Sequence, residues 1–348
     1  MSPVFPKFLT LKRVVLILAT LSLTACKTIV MKPSGDIAQQ QSQLIITAVS
    51  LMLLIVVPVI VLTLVFAWHY RRANQAATYT PDWDHSTRLE LVIWGAPLLI
   101  IIVLGSVTWI STHKLDPYRP LERIDANRQL VEGVKPLVVE VVALDWKWLF
   151  VYPELGIATV NELAASVDRP IEFKITSSTV MNSFYIPALA GQIYAMPGMQ
   201  TKLHAVINAT GVYDGFSANY SGGGFSNMRF KFLALSTDDF ENWVQTTKIT
   251  GEQLGRSEYL SLEKPSERDP VRRFAKVEDR LYEAVLNRCV DRNKMCMNQM
   301  MAIDAAGGLG KGGTYGLSSN KWRDNKKIYV TALCTPSNPR GEDVLATR

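Results

Sequence analysis

Three apolar stretches dominate the first third of the chain, and their lengths differ. Val14 to Leu23 follows Lys7, Lys12 and Arg13 and is too short to cross a hydrocarbon core of about 30 Å, which takes about 20 helical residues. A short apolar segment behind basic residues reads as an export signal. Leu44 to Ala67 and Leu91 to Ile110 are long enough to span. Pro58, Gly95, Pro97 and Gly105 interrupt them, which a bilayer tolerates when neighbouring helices re-satisfy the backbone. Trp68, Tyr70, Trp94 and Trp109 lie near the span ends, as interfacial aromatics do. The pattern predicts transmembrane helices over 44–68 and 91–110. Arg71, Arg72 and Arg88 assign the 69–90 connection to the cytoplasmic side, so both outer ends face outside.

After Ile110 the period shortens. Ile171, Phe173 and Ile175 alternate with polar positions, as do Leu203, Ala205 and Ile207, then Met228, Phe230 and Phe232, while 137–151 is densely apolar. Turn residues separate these strands at Pro197-Gly198, Thr210-Gly211 and Gly222-Gly223-Gly224, which predicts an exported all-β sandwich over 111–236. Asn208 and Asn219 begin glycosylation-like triplets and read as turn residues. Thr237 to Leu260 and Arg273 to Met300 read as helical, giving a C-terminal helical arm over 237–300. The Gly- and Ser-rich run from Gly307 to Asn325 places a flexible tail over 301–348.

Composition narrows the function. The 348 residues are 48% hydrophobic and 20% charged, which excludes a disordered chain. Lys+Arg 37 against Asp+Glu 31 gives a net charge of +6, but the surplus sits mostly before Ile110, leaving no basic footprint for nucleic acid. Leu23-Thr24-Ala25-Cys26 resembles the lipobox of bacterial lipoproteins. That resemblance makes 1–25 a signal peptide, Cys26 the lipidated mature N-terminus and 26–43 an exported tail. It requires the same orientation as the arginines. The exported part carries no Ser/His/Asp set, phosphate loop, carboxylate pair or zinc pattern, so no catalytic centre and no metal site are expected in this chain.

Two membrane helices followed by an exported sandwich resemble subunit II of the haem-copper oxidases. The likeness runs from about Leu44 to Ser236 and rests on Leu144-Asp145-Trp146-Lys147-Trp148-Leu149-Phe150, on Val180 to Pro187, on Ala195-Met196-Pro197-Gly198 and on Tyr213 to Met228. It implies a cupredoxin-like Greek-key sandwich. In the copper-binding form, two Cys, two His, a Met and a carbonyl hold a binuclear copper, since soft sulfur and imidazole suit that metal. Here Asn182 and Gly224 stand at the His positions, Phe216 and Tyr220 at the Cys positions, and Asn227 or Met228 at the Met position. Of four His only His204 lies within the sandwich, on a strand's outward phase, and none of the four Cys does.

The departure resembles the cytochrome bo-type ubiquinol oxidase branch. That implies a subunit 2 of a proton-pumping quinol oxidase in the inner membrane of a bacterium, partnered by a haem-bearing subunit I, further membrane subunits and lipid. Haems and one copper would reside in the large subunit, and Trp146 and Trp148 would be packing aromatics. The resemblance also places Glu90, ahead of Trp94 and Pro97, at the mouth of a proton channel, where pairing with Arg88 is the simpler alternative. Two other functions compete: a copper-relay cytochrome c oxidase subunit, and a lipoprotein with a binding sandwich of unrelated purpose. Cys289 and Cys296 would lie about 10.5 Å apart on one continuous helix, beyond disulfide reach. Either the helix breaks between them or Cys334 pairs with one. Met295, Met297, Met300 and Met301 read as packing filler.

Overall fold

The computed structural model describes residues 29–305, except 79, 81, 131 and 132, and a short strand pair at Tyr329–Val330 and Leu345–Ala346. The export signal, Cys26, the Gly- and Ser-rich run and Cys334 lie outside the described residues. Helix α1 covers Asp36–His69 and α2 covers Thr87–Lys114, with the apolar faces of both turned outward over the predicted spans. Both are longer than the apolar runs. At 1.5 Å per residue α1 measures about 51 Å against a hydrocarbon core of about 30 Å. The expected tail therefore ends in helix: 36–43 are the first turns of α1, where the Asp36 carboxylate suits the positive end of the dipole.

The sandwich has two sheets. One is ordered β11-β12-β3-β2-β1-β5-β8, with β1 Leu137–Leu144, β2 Lys147–Tyr152, β3 Ile157–Val160, β5 Ile171–Ser177 and β8 Thr201–Ala205. Its last two members are β11 Glu252–Leu254 and β12 Arg272–Val277. The other is ordered β4-β10-β9-β6-β7, from β4 Glu162–Ser166, β6 Asn182–Tyr185, β7 Ile193–Ala195, β9 Gly211–Ser217 and β10 Arg229–Leu235. Trp148, Phe150, Phe173, Phe184 and Phe230 fill the space between the sheets. The Phe184 and Phe230 rings stack at 5.5 Å, and Trp148 meets Phe184 edge-on at 5.4 Å.

Strands β1 and β2 are buried on both faces, which is why 137–151 shows no alternation. Val139, Val141, Trp148 and Phe150 point between the sheets, while Val142, Leu144, Leu149 and Val151 point outward under Tyr259, Phe274 and Tyr282 of the arm. The arm is thus a second layer on the sheet. Its helices are present, as α3 Thr237–Thr250, α4 Arg256–Leu262, α5 Leu281–Leu286 and α6 Met297–Ala305. The expectation of continuous helix over 237–260 and 273–300 is corrected. Gly251 ends α3, β11 intervenes before α4, and Arg272–Val277 is strand β12, antiparallel to β3 with Phe274 buried. The sheet therefore continues past Ser236, which caps α3 by accepting Asp239 N–H at 3.2 Å.

The helix also breaks between the cysteines. Cys289 and Cys296 are disulfide-bonded with Cα atoms 4.8 Å apart, in the loop between α5 and α6. Buried polar ties fasten the arm. Glu162 accepts Trp243 Nε1–H at 3.0 Å and Arg273 Nε–H at 2.8 Å, and the 1%-exposed Lys147 ammonium donates to Lys264 O at 2.9 Å and pairs with Asp269 at 3.3 Å.

Candidate functional site

The ligand-loop end of the sandwich is built from the β1–β2 turn, the start of β6, the end of β9 and the glycine-rich loop that follows. Asn182 is buried, and its amide is engaged within the protein at both ends: Nδ2 donates to Val180 O at 3.1 Å, and Oδ1 accepts from Ser217 Oγ at 3.2 Å. Phe216 leaves the site. Next to inward-facing Ser217, its half-buried ring packs edge-on against Tyr185 at 5.3 Å and under the Arg229 guanidinium at 5.5 Å. Tyr220 is 75% exposed and touches Phe225 at 5.7 Å between ring centres. Met228 is fully buried in the core, and Asn227 is held by Glu267 and Arg268.

At Gly224 a Cβ would lie 2.4 Å from Trp146 Cδ2, and at Gly222, with φ of +111°, 3.1 Å from Trp146 Cζ2. Trp146 itself adopts φ of 68°, a region rarely used by a bulky side chain, and its Nε1–H reaches Ser221 O at 3.1 Å. The indole thus lies flat on the glycine loop and occupies the volume beside Gly224. The sequence hinted at this: three successive glycines permit close approach of another group as well as a turn. Asn182, Phe216 and Tyr220 thus turn to Ser217, Tyr185 and Phe225, and Gly224 to Trp146. Among the described residues, no group of three or more His, Cys, Asp or Glu side chains is placed to hold a metal ion.

Glu90 lies in the first turn of α2, about 50% exposed, and pairs with His85 Nδ1 at 2.8 Å, whose Nε2 meets Thr87 Oγ1 at 3.1 Å. Its partner is the loop histidine, not Arg88, the simpler alternative to the proton-entry reading. His204 is half-buried on β8, with its backbone N–H bonded to Pro117 O, and burial holds its ring below the usual histidine range. It is less solvated than its strand phase implied.

Residues 154–232 match the family described as the cytochrome c oxidase subunit II periplasmic domain, and 248–293 the one described as the COX aromatic rich motif. Subunit 2 of the cytochrome bo(3) ubiquinol oxidase of Pseudomonas putida is 50% identical over 277 residues, covering 80% of this chain and 85% of that one. The Pseudomonas aeruginosa subunit of the same description is 52% identical, covering 77% and 78%. The chain belongs to the ubiquinol oxidase subunit 2 family. Membership extends to distant relatives: a quinol oxidase subunit 2 of Bacillus subtilis is 36% identical over 244 residues, covering 70% of this chain and 73% of its own. The subunit 2 family fold explains why the arm is a layer and not an appendage, since the aromatic-rich segment supplies Tyr259, Phe274 and Tyr282 to the outer face. The chain is a membrane-anchored member of an oxidoreductase complex.

Proposed function

We propose that the chain is the copper-free, non-catalytic subunit 2 of a proton-pumping ubiquinol oxidase, seated on a haem-bearing subunit I and further subunits in the inner membrane of a bacterium. The observation that carries this reading is the donor set of the ligand loop. A binuclear copper needs thiolates and imidazoles. Phe216 and Gly224 offer no lone pair, the Asn182 amide is occupied, and Trp146 fills the space beside Gly224. The residues present do not fit the group. A quinol dissolved in the bilayer can deliver electrons to the haem subunit without an exported relay, which leaves the sandwich a packing role. The haems and copper of the complex would belong to the partner.

Two further residues complete the reading. Cys26 would be the lipidated N-terminus, which intact mass measures directly; an unmodified Cys26 or a chain still starting near Met1 overturns that part. Glu90 would collect cytoplasmic protons at the mouth of a channel, supported by its position on the first turn of α2 and by a titratable partner in His85. In the purified complex, Glu90→Ala should slow quinol-driven oxygen reduction with haem content intact, and Glu90→Asp should keep part of the rate. Unchanged turnover in an intact Glu90→Ala complex returns this carboxylate to a solvated helix end.

A further inference from the structure

Where the two helices meet the sandwich, the protein leaves a cavity of about 300 Å³. The first turns of α1, with Asp36, Gln40 and Gln41, line one side; the end of α2 and the linker, with Lys114 and Arg123, line another; His204 of β8 closes the third. Gln40 lies four residues before the apolar run starting at Leu44, and Lys114 four after Ile110, so each sits about 6 Å outside the apolar zone, at headgroup depth.

The charges in the cavity are unequally satisfied. Asp36, with a side chain 3% exposed, accepts from Arg123 Nε at 3.0 Å and Gln40 Nε2 at 2.7 Å, and Arg119 pairs with Glu122 at 2.5 Å. Lys114 is exposed and its ammonium has no partner among the described residues. The carboxylate of Asp116 also lines the cavity and accepts Tyr118 N–H at 2.9 Å, while that of Glu122 is taken up by Arg119. A free cation beside a carboxylate suits a group carrying both charges. The volume lies at the small end for ligand pockets, enough for a headgroup.

We propose that this cavity holds the headgroup of a zwitterionic phospholipid, its phosphate on Lys114 and its ammonium toward Asp116, so that the sandwich is seated on a bound lipid. The inference rests on α1 and α2 crossing the bilayer. The test uses the full chain in nanodiscs of phosphatidylethanolamine doped with the same lipid carrying a photoreactive diazirine beside its phosphate. Cross-links should map to 36–41 and 114–123, fall roughly threefold in Lys114→Gln, as expected for one exposed ion pair, and persist in Lys114→Arg. Excess inorganic phosphate should leave them unchanged. Equal labelling in the wild type and Lys114→Gln overturns the proposal, as does displacement by inorganic phosphate, which would make the site one for the free ion. Labelling along the apolar spans without labelling of these two segments would reject the cavity site and leave the membrane-spanning reading standing.

Discussion

Trp146 and Gly224 are a pair in which each residue explains the other. Because a Cβ at Gly224 would lie 2.4 Å from the indole, Gly224→Ala must displace the ring or the loop and should cost about 1–3 kcal/mol, as overpacking does. In a Trp146→Ala background the same substitution should cost much less. A double-mutant cycle from denaturant titrations measures the difference, and equal costs in both backgrounds would show that the ring is not what excludes a side chain. Glu140 offers a second test at this scale. It sits on β1 opposite Lys174 in the parallel register with β5. Burial, opposed by Lys174 and reinforced by Glu283, raises its carboxyl from 4.5 to about 7. A carboxyl raised in the folded state binds its proton more tightly there than in the unfolded chain. Its stabilising contribution is complete below the unfolded value and is lost as pH rises through the folded one. The melting temperature should therefore decline between about pH 5 and about pH 8, and Glu140→Gln should flatten that decline. An unchanged slope in the variant would assign the pH dependence to other groups.

Among the elements, the arm depends most on ties outside regular structure. The Cys289–Cys296 bridge closes a short loop, and α6 beyond it places Met297 Cε where a Cβ on Gly198 would come within 2.6 Å. Arg256 spans the same region, donating to the carbonyls of Cys289 and Val290 at 3.0 and 3.2 Å while pairing with Glu278. Cys289→Ser should lower stability by about 2–3 kcal/mol on loop-closure grounds. Thermal melts of the variant, and of the wild type with and without reductant, check this; no change would mean that packing alone holds α6. Much of this architecture is legible from the chain. The apolar lengths at 44–67 and 91–110 mark both spans, and alternation marks β5, β8 and β10. Arg273 to Val277 reads as helix because charges dominate it and no period of two shows: Phe274 is buried, while Arg272 and Lys276, two positions to either side, are exposed. The first turns of α1 are not legible because Asp36 to Gln43 is largely polar, and its helicity follows from docking on the sandwich. There Ser34 and Gly35 N–H both bond to Ala188 O, and a Cβ at Gly35 would meet Leu189 O at 2.4 Å. At the site, residue types alone revealed the absence of thiolates and imidazoles, but Trp146 over the glycine loop required a fold, since 146 and 224 are joined only by folding.

For the molecule as a whole, we propose that a sandwich of the copper-binding type serves as a packing body without a copper donor set. Its aromatic core, its two-sided burial of β1 and β2 and its arm are held by apolar packing. The membrane helices and the sandwich are joined through Gly35, Asp36 and Arg123, so motion of one should be felt by the other. The most direct measurement is copper content: the full-length chain, purified in detergent from copper-supplemented cells and counted by metal analysis alongside its visible spectrum. The expected result is sub-stoichiometric copper and no charge-transfer band of a thiolate-bridged binuclear centre. Stoichiometric copper in this chain, with such a band, would contradict it.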